Sequence, residues 1–272
     1  MATAVIGRDQ ELGAIQAFVD RLREGPAVLV LSGEAGIGKT ILWEAGVTAA
    51  GSQLVLAHRS VEAESALPFI GLSDLLTPVF DDVAPSLASP RRHALEVALL
   101  LSEPGDASVN PGAVGLAVAD ALKRLALESP VVLAIDDLHW LDSSSAAVLQ
   151  VALRRLSEER VGFMATLRDG PEAIAPFDLE RSFPEKRLSR LALGPLSIAG
   201  VHHLLKERLE LELSRPALVR VREATGGNPL FALELGRELM RTNAVLPADT
   251  RMTLPDSLAR LLRHRLDGLG QD

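Results

Sequence analysis

Two patterns of hydrophobic and polar positions alternate along the first two thirds of the chain. Short apolar runs predict five strands, at 27–31, 54–57, 131–135, 161–167 and 188–193. Apolar residues that recur every three or four positions predict helices near 10–23, 39–50, 113–128 and 144–157. The run at 131–135 is apolar at every position, as in a strand that helices cover on both faces. The alternation therefore predicts an α/β fold with a parallel five-stranded sheet flanked by helices.

Helix starts and a proline-rich segment add detail to this prediction. Asp9 is placed to cap the first helix, and Ser143 or Ser144 to cap the helix at 144–157. Residues 60–112 contain six prolines, which predict short helices joined by loops.

The last third of the chain has a different pattern. After Pro195 the strand patterns stop, and helical patterns follow near 197–210, 215–224, 229–241 and 254–268. We therefore predict two domains, an α/β domain over 1–195 and an all-helical domain over 196–272.

Composition excludes several classes of protein. The chain has 272 residues, of which 47% are hydrophobic and 24% charged, so disorder throughout is excluded. It has no cysteine, which excludes disulfides and cysteine-ligated zinc. No apolar run approaches the ~20 residues that cross a bilayer, and the N-terminus lacks the apolar core of a secretory signal. We expect a cytoplasmic protein that does not enter membranes.

The charge is acidic and uneven. The net charge is −8, which argues against a basic surface for nucleic acid. Residues 1–172 carry 13 basic and 23 acidic side chains, whereas residues 173–272 carry 15 and 13. The arginine-rich stretches are interpreted as solvated helix faces. We expect no direct nucleic-acid binding by this chain.

The strongest chemical signal is the segment GEAGIGKT at 33–40. It fits the phosphate-binding pattern G-x-x-x-x-G-K-[ST], and it lies between a predicted strand and a predicted helix. Glycines let backbone N–H groups turn toward an anion, and the helix N-terminus adds its positive dipole end. Lys39 would neutralise the β- and γ-phosphates, and the Thr40 hydroxyl would hold Mg²⁺. The segment therefore predicts binding of ATP or ADP with Mg²⁺.

Two carboxylates follow the apolar strand at 131–135. A carboxylate at that strand end can hold the Mg²⁺ that Thr40 also binds, and we assign this role to Asp136. We assign Asp137 to orient or deprotonate the attacking water. The alternative is a turn or helix-capping aspartate. The phosphate loop about 100 residues upstream favours the metal-binding and catalytic roles over this alternative.

Three further segments give weaker signals. Arg168 follows the strand at 161–167 and is predicted to point at the γ-phosphate, the alternative being a surface arginine paired with Asp169. The segments VIGR at 5–8 and TGGNPLF at 225–231 are, taken alone, a helix start and a helix break.

Together these segments resemble the STAND class of P-loop ATPases, and in particular the ATPase module of large ATP-binding LuxR-type bacterial transcription regulators. The resemblance is carried by VIGRDQE at 5–11, GEAGIGKT at 33–40, IDDLHWLD at 135–142, LRD at 167–169 and GNPLF at 227–231. It implies that Ile6, Gly7 and Arg8 pack on the base, and that Pro229 reaches the base from a helical lid. It leaves open whether His139 and Trp140 have a structural or a functional role.

The predicted site combines the motifs and the resemblance. The nucleotide-binding set is Ile6, Gly7, Arg8, Gly33, Glu34, Ala35, Gly36, Ile37, Gly38, Lys39, Thr40, Ile41 and Pro229. The metal-binding set is Thr40 and Asp136, and the catalytic set is Lys39, Asp137 and Arg168.

The resemblance also implies a mode of action. The module would clamp ATP or ADP between core and lid, hydrolyse ATP slowly as a timer, and self-associate in a nucleotide-dependent way. Members of this class are longer than 272 residues and bind DNA through a separate domain. The leucine stripe of 254–269 runs to the chain end, so we expect a longer parent protein.

Other functions remain open at this level. The chain could be a P-loop kinase or a fast ATPase motor, or a scaffold that binds nucleotide without hydrolysis. The same module could also be attached to a nucleotide cyclase or a protein kinase.

Overall fold

The computed structural model describes residues 5–103, 110–170, 175–183 and 185–242. Contacts divide these residues into two compact units. The sheet unit comprises Gln10–Glu34 and Lys39–Ala192. The helical unit comprises residues 5–9, Ala35–Gly38 and 193–242. Two short N-terminal segments are thus grouped with the C-terminal helices, and the division into domains at 195 stays a prediction.

The sheet unit is built on five parallel strands. They are β1 (Ala27–Gly33), β2 (Leu54–Arg59), β3 (Val131–Asp136), β4 (Val161–Arg168) and β5 (Leu188–Ala192). Their order in the sheet is β2-β3-β4-β1-β5, so β4 lies between β1 and β3. The predicted parallel five-stranded sheet is confirmed.

Helices surround this sheet in the described residues. They are α1 (Asp9–Arg21), α2 (Lys39–Ala49), α3 (Ile70–Leu76), α4 (Phe80–Val83), α5 (Ser89–Ala98), α6 (Pro111–Glu128), α7 (Ser143–Leu153) and α8 (Leu179–Ser182). Short 3₁₀ turns lie at Glu62–Glu64, Thr77–Val79, Ala84–Ser86, Leu138–Trp140 and Glu185–Arg187. The short helices expected in 60–112 are α3, α4 and α5, and α1 begins at Asp9 itself.

One predicted cap is wrong. Helix α7 is capped by Asp142, not by Ser143 or Ser144, because the Asp142 backbone is not helical and its carboxylate accepts the Ser145 N–H at 2.8 Å. Ser143 and Ser144 are already helical, and a cap must precede the first helical residue.

Helices cover both faces of the sheet. On one face, Leu133 and Phe163 pack in a large apolar cluster with residues of α5, α6 and α7. On the other face α1 and α2 lie so close to β4 that glycines are required. A Cβ on Gly162 would come within 2.9 Å of Phe18 in α1, and a Cβ on Gly46 in α2 within 2.5 Å of Met164. This double burial explains why β3 is apolar along its length.

The helical unit contains α9 (Ile198–Leu209), α10 (Arg215–Thr225) and α11 (Pro229–Thr242). Its core consists of Leu196, Val201, Leu204, Leu205, Leu218, Val221, Phe231, Ala232, Leu235 and Leu239, and Ile6 packs against it. The predicted helix at 254–268 and its leucine stripe lie outside the described residues. Across the described helices of both units, none is both long enough and apolar enough to traverse a bilayer.

Candidate functional site

The carboxyl ends of β1, β3 and β4 meet at one edge of the sheet, because the three strands are parallel neighbours. Gly33 ends β1 and pairs in register with Arg168 of β4. Lys39 opens α2 after the loop that follows β1, with Thr40 and Ile41 in its first turn. The sheet order thus gathers residues that are far apart in the sequence.

Lys39 is buried, and its ammonium is held by the loop's own backbone. The Nζ atom donates to the carbonyl of Gly33 at 2.7 Å and to that of Glu34 at 2.9 Å. Burial lowers the pKa of Lys39, while the Asp137 carboxylate acts in the opposite direction. The predicted role of Lys39 toward the phosphates stays a prediction.

Asp136 ends β3, and its side chain is 1% exposed. The Thr166 hydroxyl donates to Asp136 Oδ1 at 2.6 Å and accepts the backbone N–H of Asp137 at 2.7 Å. Arg59 Nε lies 3.5 Å from Asp136 Oδ2. A buried carboxylate needs such partners, since leaving it unpaired would cost several kcal/mol.

Thr166 is a site residue that sequence reasoning missed. It is the only polar side chain in the strand run at 161–167, and it links β4 to both aspartates. A lone hydroxyl in an otherwise apolar strand is the signal that could have identified it.

The residues present fit a magnesium ion. Carboxylate and hydroxyl oxygens are the ligands that Mg²⁺ prefers, and Asp136 and Thr40 offer both. Within the described ranges, no group of three or more His, Cys, Asp or Glu side chains could hold a metal ion. Mg²⁺ usually keeps several waters and is held by one or two carboxylates together with substrate phosphates.

Asp137 has a left-handed backbone, with φ 50° and ψ 52°. This conformation is strained for most residues but tolerated by aspartate. Its carboxyl is partly exposed, and Oδ1 lies 4.0 Å from both Arg168 Nε and His139 Nδ1. A partly exposed carboxyl group at this edge can orient a water molecule, and that role stays a prediction.

Arg168 ends β4, and its side chain is 43% exposed. Besides approaching Asp137, its guanidinium carbon lies 6.0 Å from the centroid of the Trp140 ring. The alternative of a surface arginine paired with Asp169 stays open. The predicted role toward the γ-phosphate stays a prediction.

His139 lies in the turn after Asp137, with a side chain that is 4% exposed. Among the residues described, neither of its ring nitrogens finds a hydrogen-bond partner. Burial lowers the pKa of His139, while the Asp137 carboxylate acts in the opposite direction. The ring centroid is 5.0 Å from that of Trp140.

Asp142, the last residue of the IDDLHWLD segment, has a structural role. Besides capping α7, its buried carboxylate accepts the backbone N–H groups of Phe69 at 2.8 Å and Gly71 at 3.1 Å. The neighbouring Ser145 hydroxyl accepts the N–H of Leu72 at 2.9 Å. The unpaired N–H groups at the start of α3 are thus satisfied from the α7 turn.

The remaining predicted residues lie in the helical unit, together with loop residues Ala35–Gly38. The Arg8 guanidinium is buried and donates from Nη2 to the Ile37 carbonyl at 2.9 Å. Ile6 packs on the helical core, and Gly7 adopts a positive φ of 66° close to Gly200. The predicted contact of Ile6, Gly7 and Arg8 with the base stays a prediction.

Pro229 opens α11 and is flanked by two residues that contact the loop. The Asn228 Nδ2 atom donates to the Ala35 carbonyl at 3.1 Å, and the Leu230 N–H donates to the Gly36 carbonyl at 3.3 Å. The predicted contact of Pro229 with the base is likewise untested.

Several known structures have a similar fold. A Walker-type ATPase of Pyrococcus abyssi superposes with a TM-score of 0.60 at 15% identity, covering 97% of this chain and 75% of its own. Cdc6p from Pyrobaculum aerophilum gives 0.56 at 14%, covering 89% and 65%. A variant of RuvB from Thermotoga maritima gives 0.50 at 15%, covering 90% and 67%. At these identities the likeness shows the fold alone.

Sequence comparison identifies the family. No curated protein matches the chain. The AAA ATPase domain family matches residues 4–164, which is more than half of the chain and includes the phosphate loop and both aspartates after β3. The chain therefore belongs to the AAA ATPase domain family.

Proposed function

We propose that this AAA-type P-loop ATPase module is a switch that binds ATP or ADP and hydrolyses ATP slowly with Mg²⁺. The observation that carries the proposal is the gathering of Lys39, Asp136 and Asp137 at one edge of the sheet. A buried ammonium, a buried carboxylate and a partly exposed carboxylate supply the charges that phosphoryl transfer to water requires.

Each group has a separate task in this proposal. Lys39 balances negative charge that develops on the phosphates, and Thr166 fixes the orientation of the Asp136 carboxylate. Thr40 and Asp136 would hold Mg²⁺, which when bound neutralises charge on the β- and γ-phosphate oxygens. Asp137 orients the attacking water and accepts its proton.

The switch requires contacts that differ between the two nucleotides. We assign the base to Ile6, Gly7, Arg8 and Pro229, and the γ-phosphate to Arg168. A ligand shifts a conformational equilibrium only by its differential affinity for the two states, and the γ-phosphate is what distinguishes ATP from ADP. The helical unit then acts as a lid whose state follows the nucleotide.

The biological setting is the finer part of the proposal. The resemblance to STAND modules supports a LuxR-type transcription regulator that self-associates when ATP is bound, with DNA bound elsewhere in a longer parent protein. Attachment to a nucleotide cyclase or a protein kinase would use the same module and the same site residues.

Nucleotide titration and single-turnover hydrolysis test the proposal. We expect ATP and ADP to bind by calorimetry, and bound ATP to be cleaved in one slow, Mg²⁺-dependent turnover. Absence of binding would overturn the nucleotide function altogether. Binding without cleavage would reduce the protein to a scaffold, and many turnovers per second would identify a motor instead.

A further inference from the structure

Five consecutive carbonyls of the phosphate loop are hydrogen-bonded, but by two different sets of donors. In the sheet unit, Lys39 donates to the carbonyls of Gly33 and Glu34, and the Asp169 N–H also donates to the Gly33 carbonyl at 3.2 Å. The next three carbonyls accept hydrogen bonds from residues outside the loop. The Asn228 side chain donates to Ala35, the Leu230 N–H to Gly36 and the Arg8 side chain to Ile37. All residues of this second set belong to the helical unit.

A donor that holds a carbonyl also fixes a neighbouring N–H. The peptide group is planar and trans, so the carbonyl of one residue and the N–H of the next point in opposite directions. The described chain contains no cis peptide bond. Holding the carbonyls of Ala35, Gly36 and Ile37 therefore sets the direction of the N–H groups that follow them, and N–H groups are what such a loop offers to phosphate.

Asn228 does more than a helix cap needs. Its carbonyl accepts the Ala232 N–H at 2.9 Å, and its side-chain oxygen accepts the Leu230 N–H at 3.1 Å. These are the bonds of an ordinary N-cap residue, which Ser or Asp could also make. The Nδ2 bond to Ala35 is additional, and of the usual capping residues only asparagine carries a side-chain N–H donor.

The position of Asn228 is tightly defined by its surroundings. The residue is 3% exposed. A Cβ on Gly36 would lie 2.8 Å from the Leu230 Cβ and 3.0 Å from the Asn228 oxygen, so the loop approaches this segment as closely as glycine allows. On the other side, Gly227 has a φ of +76°, and its carbonyl accepts the Leu196 N–H at 2.8 Å.

We propose that Asn228 is a positioning residue for phosphate binding, which holds the Ala35 carbonyl so that the loop keeps its anion-binding shape. The inference rests on the proposed nucleotide function and deepens it. It gives Asn228 and its neighbour Pro229 different tasks, since Asn228 acts on the phosphates through the loop while Pro229 is assigned to the base.

The test separates phosphate from base with two probes, tripolyphosphate and adenosine. Asn228→Ser keeps a capping hydroxyl but removes the amide donor, and we expect a roughly tenfold loss of tripolyphosphate affinity, the effect of one hydrogen bond. Adenosine affinity, followed by ligand-observed NMR, should stay within about twofold. Asn228→Asp also keeps the cap, and its negative charge should weaken tripolyphosphate binding further.

Thr225→Val is the matched control. It removes a buried hydrogen bond of the same unit, from Thr225 Oγ1 to the Val221 carbonyl at 2.7 Å, and should change neither affinity. The inference is overturned if both Asn228 variants bind tripolyphosphate like the wild type. It is also overturned if both probes weaken equally along with the unfolding temperature, because that marks a structural role.

Lys39→Ala distinguishes the two levels of the proposal. If Lys39→Ala binds tripolyphosphate normally, the nucleotide site itself is misassigned. If Lys39→Ala loses binding while the Asn228 variants do not, only the role of Asn228 is wrong.

Discussion

The sheet unit and the helical unit contribute different kinds of polar group to the residues around the phosphate loop. In the sheet unit the groups are charged, namely Lys39, Asp136, Asp137 and Arg168. In the helical unit the loop carbonyls are bound by an amide, a backbone N–H and one guanidinium. Under the proposed function, the sheet unit would supply the charges for chemistry, whereas the helical unit would hold the carbonyls of Ala35, Gly36 and Ile37. Changes in the two units should therefore have different signatures.

The largest effect is expected for hydrolysis, from the sheet unit alone. Asp137→Asn should slow single-turnover hydrolysis by ~10²–10⁴-fold, because the carboxylate that orients the water is lost, while ATP affinity stays nearly unchanged. Asp169→Asn is the control for loss of a nearby negative charge, since Asp169 also acts on the Lys39 pKa.

Asp136→Asn should instead weaken Mg²⁺-dependent binding, and identical behaviour of the Asp136 and Asp137 variants would refute the division of roles.

The next effect concerns binding. Lys39→Ala should lower the affinity for both ATP and ADP by ~10–100-fold, since a charge-assisted contact contributes about 1.5–3 kcal/mol. Calorimetry measures the affinities, and Lys123→Ala, which removes a partly exposed lysine paired with Glu159, is the control. Unchanged affinity in the Lys39 variant would remove the phosphate-loop assignment.

A smaller effect should distinguish the two nucleotides. Arg168→Ala should weaken ATP about tenfold more than ADP, because only ATP offers the γ-phosphate. Arg155→Ala, which removes an arginine bonded to its own helix, should leave the ratio of affinities unchanged. Equal weakening of both nucleotides would place Arg168 away from the γ-phosphate.

The smallest effect belongs to the helical unit. Pro229→Ala should weaken ATP and ADP equally, by about two- to fivefold, because both carry the base and one apolar contact contributes about 0.5–1 kcal/mol. The helix should persist, since the first helical position tolerates alanine. With nucleotide present, amide exchange across 197–242 should be faster in the Pro229→Ala variant than in the wild type. If nucleotide does not change amide exchange across 197–242 in either protein, the helical unit does not act as a lid.

Much of the fold could be predicted because it depends on local patterns. Each strand is an apolar run with strand propensity. The phosphate loop is a contiguous motif whose residues bind one another, since Lys39 donates to the carbonyls of Gly33 and Glu34. Family membership likewise followed from contiguous segments, at the level of a P-loop ATPase.

The missed features are pairings between distant segments. Thr166 meets Asp136 because β4 lies beside β3, and periodicity alone does not give the order of strands. The Asn228 side chain donates to the Ala35 carbonyl, which is 193 positions away in the sequence. The Asp142 carboxylate accepts the N–H of Gly71, which is 71 positions away. A helix break was a reasonable interpretation of the segment that contains Asn228, since the partner of Asn228 is not visible in the local sequence.

The Asp142 carboxylate has a consequence for the order of folding. It joins the turn before α7 to the start of α3 over a chain segment of about 70 residues, and closing a segment of that length costs several kcal/mol of chain entropy before the bonds form. We expect α3 to dock late, after β3 and α7 have formed the turn that carries Asp142. Pulse-labelled hydrogen exchange during refolding should then protect the Phe69 and Gly71 amides no earlier than those of β3, and earlier protection would show that α3 forms independently.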